Sequence, residues 1–227
     1  MSDQPHTAEK TLFVIHTVAA SLEPLKEAFC REASSIRLLN LLDEAMLSAP
    51  GMTPDSPRAR ARFQSLLRLA DETDPDGVLV ACSTYTRVID RDETPAGKRL
   101  FWIDEPMMEE AVRLGPRVGL LATNPDTLAA SQATLARAAE KLNRTPDVTS
   151  RLDAEAFESL LQGNRDEHDR RVVALAKSLA DDVDVVVLAQ VSMAHLANVC
   201  RMQIGIPVLS SPVPCARAVA KALQENS

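Results

Sequence analysis

A cysteine followed by small hydroxyl residues is the part of this sequence best suited to chemistry. Cys82 opens the run CSTYT, which follows residues 77–81, a short valine-rich run typical of a buried strand. At the carboxyl end of a strand in an α/β sheet, a thiol lies where ligands collect, and the amides of the next helix can hold an anion or lower the thiol's pKa. Such a thiol can serve as acid, base or nucleophile. We therefore predict that Cys82 is the catalytic residue.

A second stretch, residues 181–200, repeats this pattern with a different side chain at the key position. Its apolar run ends at Gln190, which VSMAHL and a helix-like segment follow. A carboxamide cannot exchange a proton near neutral pH, but it can hydrogen-bond a substrate. Ser192 and His195 are the proton-carrying side chains nearest to Gln190 in sequence, whereas Cys200, ten residues after Gln190, would lie about 15 Å away along a helix. We predict that Gln190 and Ser192 bind substrate.

Composition narrows the classes of partner. The net charge of -7 argues against nucleic acid, because phosphate binding needs clustered Lys and Arg. No apolar run approaches the roughly 20 residues of a membrane span, and the first ten residues lack the basic and apolar regions of a signal peptide. The four Cys and four His residues lack the close spacing of a metal site or a disulfide framework. We expect a cytoplasmic protein without a metal.

Strands and helices alternate along the chain in two similar halves. Three pairs of segments match: LFVIHT (12–17) with VGLLAT (118–123), VLVACSTYT (78–86) with VVLAQVSMA (186–194), and FWIDEP (101–106) with PVLSSP (207–212). Equivalent positions are 106, 108 and 106 residues apart, as in Thr17 and Thr123, Cys82 and Gln190, and Pro106 and Pro212. These near-constant separations predict an α/β fold of two pseudo-symmetric domains, each a mostly parallel sheet flanked by helices.

We place the first domain at residues 1–109 plus 210–227 and the second at 110–209, with the active site in the cleft between them. The strand ends that would face this cleft carry Thr17, Cys82, Ser83, Thr84, Asp104, Glu105, Thr123, Asn124, Gln190, Ser192 and Ser211. Paired acids before a proline are more typical of a helix start than of a catalytic site. The predicted substrate-binding residues are therefore the small hydroxyl and amide residues Thr17, Ser83, Thr84, Thr123, Asn124, Gln190 and Ser192.

Five segments together resemble the aspartate/glutamate racemase superfamily: ACSTYT (81–86), IDEPMMEEAV (103–112), VGLLATNPDTL (118–128), VVLAQVSMAHL (186–196) and PVLSSP (207–212). The group includes aspartate, glutamate and hydantoin racemases, maleate isomerase and arylmalonate decarboxylase. The resemblance implies a pseudo-symmetric two-domain fold and catalysis without a cofactor or metal. In its two-base members, one Cys from each half acts on opposite faces of a carbon next to a carboxylate. Cys82 falls on the first of these positions, and Gln190 replaces the second Cys.

The resemblance implies an isomerase of the racemase type that acts on a small acid or amino acid through Cys82, and a homodimer. The replacement of the second Cys keeps alternatives open. A decarboxylase needs only one proton donor, and an isomerase could use Cys82 as a covalent nucleophile. A non-catalytic small-carboxylate binding protein could retain the cleft. A thiol hydrolase fits less well, because no His lies near the CSTYT run.

Overall fold

The computed structural model describes residues 10–87 and 99–225. The strands are β1 (Lys10–His16), β2 (Ile36–Leu42), β3 (Gly77–Val80), β4 (Arg99–Trp102), β5 (Arg117–Ala122), β6 (Asp147–Leu152), β7 (Val185–Leu188) and β8 (Val208–Ser210). The α-helices are α1 (Leu22–Glu32), α2 (Ala45–Ser48), α3 (Pro57–Glu72), α4 (Glu105–Leu114), α5 (Pro125–Lys141), α6 (Ala154–Leu161), α7 (Arg165–Lys177), α8 (Ala197–Ile204) and α9 (Pro212–Gln224). Short 3-10 helices lie at Ala19–Ser21, Ser83–Arg87 and Val191–Leu196. Within the described ranges, no helix combines the length and apolar character needed to cross a bilayer.

The strands form two four-stranded sheets with the same topology. Their orders are β2-β1-β3-β4 and β6-β5-β7-β8, and every pairing is parallel. Each strand of the first sheet therefore has an equivalent in the second. The predicted fold class, two similar α/β halves with parallel sheets, is confirmed.

The central strands explain why the apolar runs stand out in the sequence. Every residue of β3 and β7 is buried, because helices cover both faces of a parallel sheet and a central strand has no solvent side. Both strands end one residue before the positions of interest, since Ala81 and Ala189 separate them from Cys82 and Gln190. The buried strands β3 and β7 therefore place Cys82 and Gln190 at equivalent edges of the two sheets.

Two helices pack against the sheet of the opposite half. The helix α4 follows β4 of the first sheet, yet Met107 and Met108 pack with residues of β5 and β7. The helix α9 follows β8 of the second sheet, yet Val219 and Leu223 pack in the core that contains Phe29 of α1. The boundary that we placed at residues 109 and 110 lies inside α4. The division into domains stays a prediction, and the observed packing joins α4 to the second sheet and α9 to the first.

Candidate active site

A small cavity of about 50 Å³ lies where the two halves meet. Its lining comes from both halves and consists of Thr17, Val18, Ser21, Leu47, Ala81, Cys82, Ser83, Thr84, Asn124, Thr127, Phe157, Gln190, Val191 and Ser192. All the predicted site residues except Thr123 are in this set. Thr123 is fully buried behind the wall and supports Gln190.

The thiol of Cys82 is buried and surrounded by hydrogen-bond donors. The backbone amides of Thr84 and Tyr85 and the hydroxyls of Thr17 and Thr84 all interact with it. Burial raises the pKa of Cys82, and these donors oppose the effect without cancelling it. The expectation that the helix-start amides would lower this pKa is therefore correct for their own contribution, but burial is larger. At rest, Cys82 is a neutral thiol. The surrounding donors are already positioned to stabilise its thiolate.

The side chain of Tyr85 fixes the 3-10 helix that follows Cys82. Its hydroxyl donates to the backbone oxygen of Met46, and burial raises the pKa of Tyr85 to about 12, which keeps it a neutral donor. One residue further on, Thr86 donates to the backbone oxygen of Ser83 at 2.7 Å. Because Leu47 lines the cavity, the Tyr85 bond joins the cysteine segment to the helix α2 that closes one side of the site.

The geometry defines which end of the Gln190 amide faces the cavity. Its Oε1 accepts from the backbone amide of Thr123 at 2.6 Å and from the Thr123 hydroxyl at 2.9 Å. A backbone amide can only donate, so this oxygen assignment follows from the network. The hydrogen bonds of Gln190 with the described residues both end at Oε1, and Gln190 lines the cavity. Gln190 therefore presents a neutral hydrogen-bond donor at the position equivalent to Cys82.

Direct contacts between the halves lie beside the thiol. The Ser83 hydroxyl donates to the backbone oxygen of Ala189 at 3.3 Å, and the hydroxyls of Thr84 and Thr127 are 3.0 Å apart. On the second-half side, Asn124 Oδ1 accepts from the amide of Asp126 at 2.9 Å and caps α5. The oxygen of Asn124 is therefore committed to the helix, while its side chain still forms part of the wall.

Among the described residues, no histidine lines this cavity as a second acid or base. His195 contacts Asp169 at 2.8 Å and lines a different cavity, together with Arg31 and Asn198. His16 is fully buried, its ring lies 2.7 Å from the Ser21 hydroxyl, and burial lowers its pKa. Cys200 is buried in the core formed around α7 and α8. Of the replacements considered for the second Cys, only Ser192 lines the cavity.

The described ranges contain no group of three or more His, Cys, Asp or Glu residues arranged to hold a metal ion. The chemistry available from these residues is that of a thiol, an amide and several hydroxyls.

A family model described as Asp/Glu/Hydantoin racemase matches residues 18–219. The chain belongs to the Asp/Glu/hydantoin racemase family. The curated proteins searched contain no match to it.

Several solved structures share the family fold at low identity. A glutamate racemase isoform from Bacillus anthracis has a TM-score of 0.72 at 17% identity, covering 96% of this chain and 83% of its own. An allantoin racemase from Pseudomonas fluorescens has a TM-score of 0.67 at 16% identity, covering 96% and 91%. A Picrophilus torridus aspartate racemase has a TM-score of 0.71 at 13% identity, covering 95% and 94%. This likeness establishes the two-half α/β racemase fold.

In this family member, the buried carboxyl group of Asp104 lies next to the site without reaching it. Both carboxyl oxygens and the Ser211 hydroxyl are buried and lack a hydrogen-bond partner in the described structure. Burial raises the pKa of Asp104 to about 6, while the nearby hydroxyls of Ser83 and Ser211 oppose the shift, although neither reaches good hydrogen-bond geometry. Glu105 instead lines a separate cavity with Arg137 and others. The interpretation of the two acids as helix-start residues thus missed the burial of Asp104.

The wall residues that sequence reasoning missed are Val18, Ser21, Leu47, Ala81, Thr127, Phe157 and Val191. Ala81 and Val191 directly adjoin the two key residues, so extending the site by one residue in each direction would have found them. Leu47 and Phe157 come from α2 and α6, and no local motif marks an apolar helix residue as a cavity wall.

Proposed function

We propose that this family member is an isomerase that moves a proton at the carbon next to the carboxylate of a small acid, with Cys82 as the acid–base group. The observation that carries the proposal is a single thiol that lines a small cavity between the halves, in contact with two backbone amides and two hydroxyls. A buried thiol without such donors would be a small hydrophobic residue. With these donors in place, the thiolate can act as the base and the neutral thiol can act as the acid.

The reaction starts from the neutral thiol. The thiol first releases its proton to solvent water. The resulting thiolate, which the amides of Thr84 and Tyr85 and the Thr17 hydroxyl would stabilise, then removes the substrate proton. As the proton leaves the substrate, negative charge develops on the carboxylate oxygens of an enolate-like intermediate. Gln190 Nε2 and the Ser192 hydroxyl are donors that would stabilise that charge, because both side chains line the cavity and Gln190 binds Thr123 through Oε1. Cys82 then returns the proton to carbon, and this scheme needs no cofactor.

The replacement of a second thiol by Gln190 affects the stereochemical outcome. With one acid–base group, a proton returned to the face it left regenerates the substrate, and only exchange with solvent records the event. Isomerisation requires the planar intermediate to present its other face to Cys82.

A second candidate function, decarboxylation, is favoured by the raised pKa of Cys82. Loss of carbon dioxide from a substituted malonate leaves a carbanion that needs one proton and no base. A thiol that is already protonated at neutral pH can deliver that proton directly. The same Gln190 and Ser192 donors would stabilise the intermediate, so the two reactions differ in the substrate and not in the residues used.

Proton NMR in heavy water tests both candidates. Purified wild type and Cys82→Ala are incubated with both enantiomers of aspartate and glutamate, hydantoins, maleate and substituted malonates. Exchange or isomerisation by wild type alone supports the isomerase, and loss of carbon dioxide by wild type alone supports the decarboxylase. If no substrate reacts while ligands raise the melting temperature equally in both proteins, the chain is a small-carboxylate binding protein.

A further inference from the structure

The helices α4 and α9, which pack against each other, are not capped by the side chains at their starts. Asp104 precedes α4 and Ser211 precedes α9, but neither side chain bonds to the amides of its helix. By contrast, Asn124 and Asp153 accept from amides of the helices that they begin, which is the usual use of such residues. Asp104 and Ser211 are both fully buried. Their polar groups are therefore held inside the protein without serving their helices.

The side chain of Ser83 faces both this buried pair and the active-site cavity. Burial raises the pKa of Asp104, and the hydroxyls of Ser83 and Ser211 are near enough to the carboxyl group to oppose that shift, although neither bonds to it in this structure. The Ser83 hydroxyl instead donates to the backbone oxygen of Ala189 at 3.3 Å, and Ser83 lines the cavity. This bond is long, since O–H···O bonds usually measure about 2.7–2.8 Å. The Ser83 hydroxyl thus has one hydrogen to donate and two acceptors near it.

The groups that face Asp104 come from three elements. Ser83 belongs to the 3-10 helix after β3, and Ser211 and Cys215 lie at the start of α9. Glu105 follows Asp104 on α4, and its charge raises the pKa of Asp104 further. Burial and the charge of Asp104 raise the pKa of Cys215, which therefore stays a neutral thiol. The side-chain donors that these elements offer to Asp104 are the two serine hydroxyls and, more weakly, the thiol.

The charge on Asp104 decides which acceptor the Ser83 hydroxyl bonds. A neutral carboxyl group carries its own hydrogen and competes weakly with a backbone oxygen. A carboxylate forms charge-assisted hydrogen bonds about twice as strong as neutral ones, and a buried carboxylate depends on them because it has lost its water. We propose that Asp104 is a positioning residue that acts on the active site through Ser83. The neutral acid leaves the Ser83 hydroxyl bonded to the Ala189 oxygen, and the carboxylate attracts the hydroxyl to itself.

This change breaks a direct bond between the halves beside the two key residues of the cavity. Ser83 follows Cys82, and Ala189 precedes Gln190. Because burial raises the pKa of Asp104 to about 6, the bond should be formed at pH 5 and lost at pH 7. The placement of Gln190 relative to Cys82 thus depends on pH through a carboxyl group behind the cavity wall.

An NMR titration of the full chain from pH 4.5 to 8 tests the coupling directly. The carboxyl carbon of Asp104 reports its ionisation, and the backbone carbonyl carbon of Ala189 reports loss of its hydrogen bond as an upfield shift. We expect one step in each resonance, with a common midpoint at the Asp104 pKa of about 6. An Ala189 resonance that stays constant while Asp104 titrates would overturn the inference. An Asp104 resonance without a step in this range would overturn it as well.

Variants of the two residues assign the step to its cause. Ser83→Ala should abolish the Ala189 step while Asp104 still titrates, and should raise the Asp104 midpoint, because the Ser83 hydroxyl lowers the pKa that burial raises. Asp104→Asn should also abolish the step. Asp126→Asn, the same substitution at an exposed position of α5, should leave it unchanged. A step that persists in Ser83→Ala contradicts the inference. If Asp104→Asn does not fold, the comparison of wild type with Ser83→Ala decides the question.

The titration uses no substrate, so its result is independent of the proposed function. A common step in a chain that catalyses no exchange, isomerisation or decarboxylation retains this inference and overturns the enzyme. Turnover through Cys82 in a chain without the common step retains the enzyme and overturns this inference.

Discussion

At the scale of single residues, Cys82 lines the cavity between the halves and has a pKa raised by burial. We expect Cys82→Ala to lower kcat by about 10²–10⁴-fold, the usual contribution of a positioned acid–base group. Steady-state kinetics on the substrate found by NMR measures this. Because Thr17 donates to the thiol and lowers its pKa, Thr17→Val should move the rising limb of the pH profile of a thiolate-dependent rate to higher pH. An unchanged limb would show that Cys82 does not act as the base.

The amide of Gln190 has a role distinct from that of the thiol. Gln190→Ala removes the donor that faces the developing charge and leaves the Thr123 amide without its acceptor. We expect kcat to fall about 10²–10³-fold, as for loss of an oxyanion donor. Thr123→Val removes only one of the two bonds to Oε1, so its effect should be smaller. If both variants lower kcat equally, the positioning of the Gln190 side chain by Thr123 accounts for the whole effect, and the amide donor adds nothing.

The carboxyl group of Asp104 should make stability depend on pH. Its pKa rises from an ordinary 3.8 to about 6 through burial, so the folded chain binds this proton more tightly than the unfolded chain does. The protonated form therefore contributes stability that is present below about pH 4 and lost as pH rises through 6. The loss should total about 3 kcal/mol, since each pKa unit is worth about 1.4 kcal/mol.

Urea unfolding of wild type and Asp104→Asn at pH 4, 6 and 7.5 measures this effect. The stability of wild type relative to the variant should fall across the series. Glu72→Gln removes a carboxylate from the exposed end of α3 and controls for the loss of one charge. A constant difference between wild type and Asp104→Asn would show that Asp104 does not change its protonation on unfolding.

At the scale of elements, the start of α5 links a helix cap to the cavity wall. Asn124 Oδ1 accepts from the amides of Asp126 and Thr127, at 2.9 and 3.3 Å. Asn124→Ala should lower the free energy of unfolding by about 1 kcal/mol, and Asn124→Ser, which can still cap the helix, by less. Denaturant unfolding measures both. An equal loss in the two variants would attribute the effect to the cavity wall and not to the cap.

Much of the site could be predicted from the sequence because strand ends are local signals. The apolar runs of β3 and β7 are fully buried, so the residues just beyond them, Cys82 and Gln190, could be located from pattern alone. The sequence did not reveal that Asp104 is buried, nor that Thr127 meets Thr84 across the halves. Both facts depend on how the two halves pack against each other. Packing between the halves produces no periodic pattern of apolar residues in the sequence. The strand β2 likewise contains Asn40, a polar residue that contacts His16, so its apolar pattern is interrupted before it ends at Leu42.

At the scale of the whole molecule, the duplicated halves exchange helices across the site that they enclose. The first sheet depends on α9, which enters from the second half, and the second sheet depends on α4, which enters from the first. The helices α4 and α9 also pack against each other. Neither sheet therefore has a complete hydrophobic cover when the other half is unfolded.

This exchange predicts that the two halves unfold in one cooperative transition. Phe29→Ala in the first core and Leu120→Ala in the second should each cost about 2–5 kcal/mol, and each should lower the midpoint of the same transition. Differential scanning calorimetry checks this through the ratio of calorimetric to van't Hoff enthalpy, which should stay near one for a two-state process. If either variant splits the transition, with the half that contains the substitution unfolding first, α4 and α9 do not couple the halves. The cavity could then lose one wall while the other stays folded. A single transition means instead that any loss of core packing in either half removes both sides of the active site together.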